Sequence, residues 1–284
     1  MGLSPEPPTT LDLGLAAELG AAVAAGELAL YYQPEVDLAS GELVGMEGLL
    51  RWQHPRRGVL PAAAFLPLAE HSDLLPTIAR WALHACADEA ARWQRLSGVA
   101  AVQPVWLNVA GVQLSEPGFA AEVIDVVRDR GLPPGAFGVE VTEKDLAGEG
   151  GAAVGVLAEL RRAGVALAVD DFGTWHSSLA TVAELPVDAV KLDRTFFHGL
   201  GDDLDDDSIV ASMIRLAHAR DLYVVAEGVE SWTETARLCE LGCDRAFGYL
   251  FSPPERPERA RDLIARGRGW RRPSAVAGSG AGPA

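Results

Sequence analysis

One apolar run in the chain ends in two adjacent carboxylates: Val165-Ala166-Leu167-Ala168-Val169-Asp170-Asp171-Phe172-Gly173-Thr174. A run with no polar break predicts a strand buried on both faces, as in a parallel sheet. Neighbouring aspartates at its end repel unless a cation or strong donors sit between them. Taken alone, the pair fits a strand ending in a solvated turn equally well. Other apolar runs end in the same manner, at Glu47, Asn108, Glu140, Lys191 and Glu227. If the fold gathers these ends, seven polar side chains converge. Six of them carry oxygen, and five of those are carboxylates. Oxygen donors without His or Cys suit Mg²⁺ or Mn²⁺ better than zinc. The set is large enough for two ions about 4 Å apart, the arrangement that activates a water and stabilises both oxygens in phosphodiester displacement. Lys191 would there polarise the water or neutralise transition-state charge. Singly, each residue also has a structural role open to it: an ion pair for Glu47, a cap for Asn108, a partnership with Asp193 for Lys191. Jointly they point to cations, because buried like charges in one mouth are costly without them.

The elements that must gather these ends follow from hydrophobic period and turn chemistry. An Ala/Leu-rich helix is predicted over 11–27, then strands over 28–32 and 43–50 joined by a turn at 37–42. So short a link predicts an antiparallel hairpin. A loop over 55–58 and helices over 62–71 and 76–96 follow, with Pro76 suited to a first turn. Thereafter strands and helices alternate. Strands are predicted over 104–109, 137–141, 165–170, 189–192, 222–226 and 246–251. Helices are predicted over 118–130, 151–163, 177–184, 205–220, 231–241 and 255–265. This α/β rhythm over about 250 residues fits a (β/α)8 barrel. No Gly-rich phosphate loop follows the first strand, as an open doubly wound sheet would require. The organisation expected is a flexible N-terminus over 1–10, one barrel domain over 11–266 and a disordered tail over 267–284.

Of the 284 residues, 49% are hydrophobic and 23% charged, and the net charge is -16. That surface repels nucleic-acid polymers and anionic membranes, so an anionic ligand needs metal or a few placed basic residues. Three cysteines, Cys86, Cys239 and Cys243, imply no disulfide framework and no zinc set, which fits a reducing cytoplasm. The first ten residues lack a signal-peptide pattern, and no apolar run reaches the roughly 18–20 residues of a membrane span. A soluble, cytoplasmic protein is expected.

Several blocks, in order and correctly spaced, carry a family likeness. They are Tyr32-Gln33-Pro34-Glu35-Val36-Asp37-Leu38, Met46-Glu47-Gly48-Leu49-Leu50-Arg51-Trp52 with His54-Pro55, and Leu107-Asn108-Val109. Further on come Glu140-Val141-Thr142-Glu143, Asp170-Asp171-Phe172-Gly173-Thr174, Lys191-Leu192-Asp193 and Ala226-Glu227-Gly228-Val229-Glu230. Over about 11–261 the chain resembles the EAL domains, the cyclic di-GMP phosphodiesterase family. The resemblance implies a modified TIM-type barrel with its first strand antiparallel. It also implies hydrolysis of cyclic di-GMP to linear pGpG with two Mg²⁺ or Mn²⁺ ions. Carried over by position, Glu47, Asn108, Glu140, Asp170, Asp171 and Glu227 match metal ligands, and Lys191 matches the lysine at the water. Arg51 matches the arginine on a substrate phosphate, with Leu49 and Gln33 beside the substrate groove. Glu143 matches the glutamate that steadies the loop after Asp171. Asp193 and Glu230 fall in supporting positions behind the site. Family members dimerise near that loop, which extends the expectation to a homodimer.

Three departures stand out. Phe247 lies where active members carry Gln and offers no hydrogen bond. Trp175, followed by His176, replaces a loop glycine. Gly48 replaces the Ala of the name-giving motif. These motivate an alternative in which the domain binds cyclic di-GMP or a protein partner with little or no turnover.

Overall fold

The structure is a computed structural model describing residues 10–70, 73–96, 104–149, 151–173, 185–197, 204–266 and 269–270. Helix α1 (Thr10–Ala25) leads into β1 (Leu28–Asp37), β2 (Leu43–His54) and β3 (Gly58–Pro61). A 3-10 turn (Ala62–Ala64), α2 (Leu66–Glu70) and α3 (Leu75–Gln94) follow, with Pro76 in the first turn of α3. The alternating part comprises β4 (Val105–Asn108), α4 (Gly111–Leu114), α5 (Phe119–Asp129), β5 (Phe137–Thr142), α6 (Glu143–Glu149), α7 (Gly151–Arg162), β6 (Ala166–Phe172) and β7 (Ala189–Leu192). It ends with α8 (Leu204–His218), β8 (Tyr223–Ala226), α9 (Trp232–Leu241), β9 (Arg245–Ala246) and α10 (Pro257–Arg266).

Eight of the nine strands close on themselves in the order β1-β9-β8-β7-β6-β5-β4-β2, with β2 returning to β1 and β3 hanging from β2. β1 is antiparallel to both its neighbours, and the other barrel pairs are parallel. The expected modified (β/α)8 barrel is therefore present. A parallel closed sheet buries both faces of each strand. Outward residues such as Val105, Leu107, Val139, Leu167, Val169 and Val190 pack under the helices in the main core. The inward set includes Trp106, Ala168, Ala189, Val225 and Phe247.

Several boundaries differ from the sequence expectation, each for a local reason. β1 runs to Asp37, not 32, because Gln33 and Glu35 face the barrel interior while Pro34 and Val36 face out, so an alternating strand looks like the end of an apolar one. The last strand spans Arg245–Ala246 and not 246–251. At Gly248 the chain presses onto Val229, where a Cβ would stand 1.9 Å from the Val229 carbonyl oxygen; the Phe247 N–H still donates to Ala226 of β8, but the Phe247 carbonyl accepts from Val229 and the Leu250 N–H donates to Val229, which ends the ladder. β3, α4 and α6 are short and carry no periodic signal. The helix expected over 177–184, Trp175, His176 and residues 1–9 lie outside the described residues. Of 267–284, Gly269 and Trp270 are described. Trp270 donates its backbone N–H to Gly41 (2.6 Å) and its indole N–H to the Phe251 carbonyl (2.8 Å), so the packed chain reaches past Arg266. The three cysteines are free, and no helix among the described residues is long and apolar enough to cross a membrane.

Two glycines are explained by what they face. A Cβ on Gly48 would meet Cys86 Sγ and the Trp106 carbonyl oxygen at 3.2 Å, so the methyl of the family's alanine is crowded by this chain's Cys86. On the inner wall, a Cβ on Gly138 would stand 2.2 Å from Trp106 Cε3, so the indole lies across bare backbone. Gly138→Ala is expected to destabilise the fold by about 1–3 kcal/mol through overpacking. In a Trp106→Leu background the same change is expected to cost less, measured by denaturant melts. Equal costs in both backgrounds would show that the two positions do not compete for space.

Candidate active site

Consecutive strand residues point to opposite faces, so Asp170 and Asp171 cannot both face one mouth from a regular strand. The register of β6 against β7 shifts between Val169 and Phe172, and Asp171 adopts a left-handed φ of 54°. A bulge of this kind re-aims a side chain, and Asp residues tolerate the left-handed region better than most. The Asp171 N–H donates to Asp170 Oδ1 (2.9 Å), which holds the bulge. As a result, Asp170, Asp171 and Glu227 each offer an oxygen, all within 4.8 Å of one another, a grouping that can hold a metal ion.

Around this group the barrel places the other strand-end residues. Glu47, Asn108, Glu140 and Lys191 project inward from β2, β4, β5 and β7, and Glu227 follows β8, its N–H bonded to the Leu192 carbonyl (3.0 Å). Lys191 is the hub. Its Nζ lies 3.1 Å from Glu140, 3.6 Å from Glu47, 3.7 Å from Asp170, and in contact with Glu227. Asn108 donates to Glu47 Oε1 (2.8 Å). Lys191 and Glu140 are 1% and 0% exposed, so both charges are shut off from water. Burial pulls the Lys191 ammonium down, but the carboxylates of Asp170, Glu140, Glu227 and Glu47 outweigh it and raise it well above the usual lysine value. Burial pushes the Glu140 carboxyl well up; Lys191 opposes this, and the neighbouring carboxylates add to it. Glu227 is raised in the same way, by burial first.

The donor set fits divalent cations. Four carboxylates surround one ammonium with Asp171 beside them, and while Glu140 Oε1 faces Lys191 at 3.1 Å, Glu140 Oε2 is buried without a hydrogen bond among the described residues. Buried carboxylate oxygens without donors are costly unless a cation serves them.

The remaining expected site residues lie around this cluster. Gln33, Glu47, Leu49, Glu227 and Phe247 line one cavity of about 400 Å³ beside Tyr249. Gln33 is anchored there by donating to the Ser252 carbonyl (3.0 Å). Arg51 is half-buried on β2 and donates to the Leu50 carbonyl (2.9 Å). Glu143 is buried and accepts from the Gly173 N–H (2.8 Å), where the loop after Asp171 begins. Asp193 turns away to cap a 3-10 turn (Arg194–Phe196), accepting from Thr195 N (2.9 Å). Glu230 pairs with Arg194, 2.7 Å from its Nη2, and lines the same cavity as Glu47 and Glu227. A capping box holds its neighbourhood: Glu234 accepts from the Glu230 and Ser231 N–H groups at 2.9 and 3.0 Å.

Phe247 is 2% exposed, with Lys191 Nζ 4.9 Å from its ring centroid. Below it lie three interior residues that strand ends do not reveal: Trp106, Glu35 and Arg245. Trp106 Nε1 donates to Glu35 Oε2 (2.8 Å), Arg245 Nη1 lies 3.1 Å from Glu35 Oε1, and the Arg245 guanidinium lies 4.0 Å above the Tyr223 ring. The available signal is the alternation Gln33-Pro34-Glu35, which puts two polar groups on one strand face.

A family model for the EAL domain matches residues 16–254. An uncharacterised protein of Mycobacterium tuberculosis is 39% identical over 241 residues, covering 85% of this chain and 38% of its own length. The Pseudomonas aeruginosa protein MucR, named a bifunctional diguanylate cyclase/cyclic di-GMP phosphodiesterase, is 36% identical over 256 residues, covering 89% of this chain and 36% of its own length. The chain thus spans less than two fifths of either relative. The solved structure of the PaMucR phosphodiesterase in complex with c-di-GMP superposes with a TM-score of 0.81 at 34% identity, covering 87% of this chain and 99% of that one.

A carboxyl whose pKa rises on folding binds more protons folded than unfolded. Its contribution to stability therefore falls as pH climbs from the unfolded value, about 4.3 for Glu, through the raised one. In chelator, Glu140→Gln is expected to raise Tm more at pH 8 than at pH 5. Each pH unit inside the window corresponds to about 1.4 kcal/mol, or about 2–4 °C for a domain of this size. Equal shifts at the two pH values would contradict the burial-raised carboxyl.

Proposed function

The chain belongs to the EAL domain family, and on that premise we propose that it hydrolyses cyclic di-GMP to linear pGpG with two Mg²⁺ or Mn²⁺ ions. The observation that carries the reading is the gathering of four carboxylates around the buried ammonium of Lys191, with Asp171 beside Asp170 and Glu227 and Asn108 bonded to Glu47. Glu47, Asn108, Glu140, Asp170, Asp171 and Glu227 would hold the ions. When bound, they supply Lewis-acid activation of a water and charge stabilisation at the phosphodiester.

The chain's own residues do the rest. Lys191 sets its side-chain nitrogen among the carboxylates, 3.1 Å from Glu140, where its positive charge would face the developing negative charge. Asn108 orients Glu47 by donating to it. Glu143 tethers Gly173, which limits where Asp171 can point. Gln33 and Leu49 line the cavity beside Glu47 and Glu227. Arg51 offers a charge on the same strand two residues past Leu49, suited to a phosphate oxygen. Asp193 and Glu230 act further out, through the turn at Thr195 and the pair with Arg194. A cytoplasmic location rests on the cysteine usage read from the sequence, and a homodimer near the loop after Asp171 is carried over from the family likeness.

Phe247 favours a second reading, a cyclic di-GMP receptor with little or no turnover, because an aromatic face replaces a hydrogen-bonding group beside Lys191.

Chromatography of cyclic di-GMP incubated with the protein and Mg²⁺ or Mn²⁺ separates the two. Linear pGpG is expected from the wild type. Glu47→Ala and excess chelator are each expected to lower the rate at least about 10²-fold. Intact dinucleotide that binds yet is never cleaved by the wild type would replace the hydrolase reading with the receptor one. A second readout does not need turnover: Mn²⁺ is expected to raise the Tm of the wild type and to raise that of Asp170→Asn much less.

A further inference from the structure

Beneath the carboxylate cluster the barrel holds a second charge pair, the buried Glu35 with the partly exposed Arg245, to which the proposed chemistry gives no role. Glu35 is wholly buried. It fits because Gly45 opposite has no side chain: a Cβ there would stand 2.1 Å from Glu35 Oε2. That oxygen accepts the Trp106 indole N–H (2.8 Å), and the other faces Arg245, which is itself stacked on Tyr223. The indole spans the interior across Gly138 and packs with Ala168, Ala189, Val225 and Phe247.

Trp106 is tied by its hydrogen bond to Glu35, and Phe247 belongs to the same small interior cluster, which Tyr223 borders. The Phe247 face then meets Lys191 from below at 4.9 Å. An aromatic face attracts a desolvated cation, while Glu47, Glu140, Asp170 and Glu227 pull the same ammonium from around the mouth. We propose that Glu35 is a positioning residue: by holding Trp106 it seats the Phe247 ring under Lys191 and fixes the ammonium among the carboxylates. In its kinetic arm this rests on the hydrolase reading; in its structural arm it does not.

The chain has only two lysines, Lys144 and Lys191. Lysine-selective ¹³C labelling therefore gives two ε-CH₂ signals, assigned with Lys144→Arg. Protons above an aromatic face resonate upfield, so the Lys191 signal is expected upfield of that of Lys144 and is expected to lose the displacement in Phe247→Leu. Glu35→Leu, which leaves Trp106 without an acceptor, is expected to move the Lys191 signal at least halfway toward that of Lys144. It is expected to lower kcat about tenfold with KM within twofold, since a displaced charge affects the transition state more than binding. Glu35→Gln keeps an acceptor for the indole and is expected to restore most of both. If Glu35→Leu does not fold, Trp106→Phe, which keeps a ring and removes the N–H, carries the same expectation. A Lys191 signal that stays in place in a folded Glu35→Leu or Trp106→Phe protein overturns the proposal, and so does an unchanged kcat. If the wild type shows no turnover, the hydrolase reading falls and the Lys191 signal alone decides the role of Glu35.

Discussion

Lys191 is a single ammonium, almost completely withdrawn from water, with four carboxylates drawn around it and a fifth beside them. A buried charge is tolerable only when paired, and an excess of one sign in a dry pocket is not. Much of the barrel serves that constraint. Parallel strands bring residues far apart in sequence to one rim. The β6 bulge turns two consecutive aspartates to the same side. The antiparallel β1 closes the wall without contributing a carboxylate at the rim itself. The remaining negative charge is what makes this mouth a natural seat for divalent cations.

The rim was legible in the sequence because strand ends in a parallel barrel follow apolar runs, and an apolar run interrupted by one carboxylate is easy to see at Glu47, Glu140 and Asp170. The interior layer below it was not. Glu35 and Arg245 lie on strands whose inner and outer faces differ in polarity, so β1 appeared to stop at Tyr32 and β9 appeared to begin after Arg245. Nor does a sequence show that Trp106 needs the bare backbone of Gly138, since the two are joined only by barrel register. Short helices such as α4 and α6 complete too few turns to print a period.

Volume and charge in the barrel interior are matched across neighbouring strands. Large or charged interior residues sit opposite residues with no side chain: Trp106 over Gly138, and Glu35 over Gly45. Phe247 shares the interior cluster with Trp106, and Arg245, two residues before it, pairs with Glu35. On the outer face Gly48 yields to Cys86. A side chain added at Gly138, Gly45 or Gly48 alone meets a neighbour already in the space.

The seam between β1 and β9 joins Val36 to Ala246 and Asp37 to Arg245, and the Glu35–Arg245 pair crosses the same seam. The β1–β2 hairpin is local and can form early, but this junction closes a loop of some two hundred residues, which is slow on entropic grounds. During synthesis the chain must therefore emerge past Arg245 before the wall is complete. Until then Lys191 has no aromatic support and Glu35 has no counter-charge. Ring closure and maturation of the reactive centre are thus a single late event, and shortened chains ending before β9 would populate open, sticky barrels rather than partly active ones.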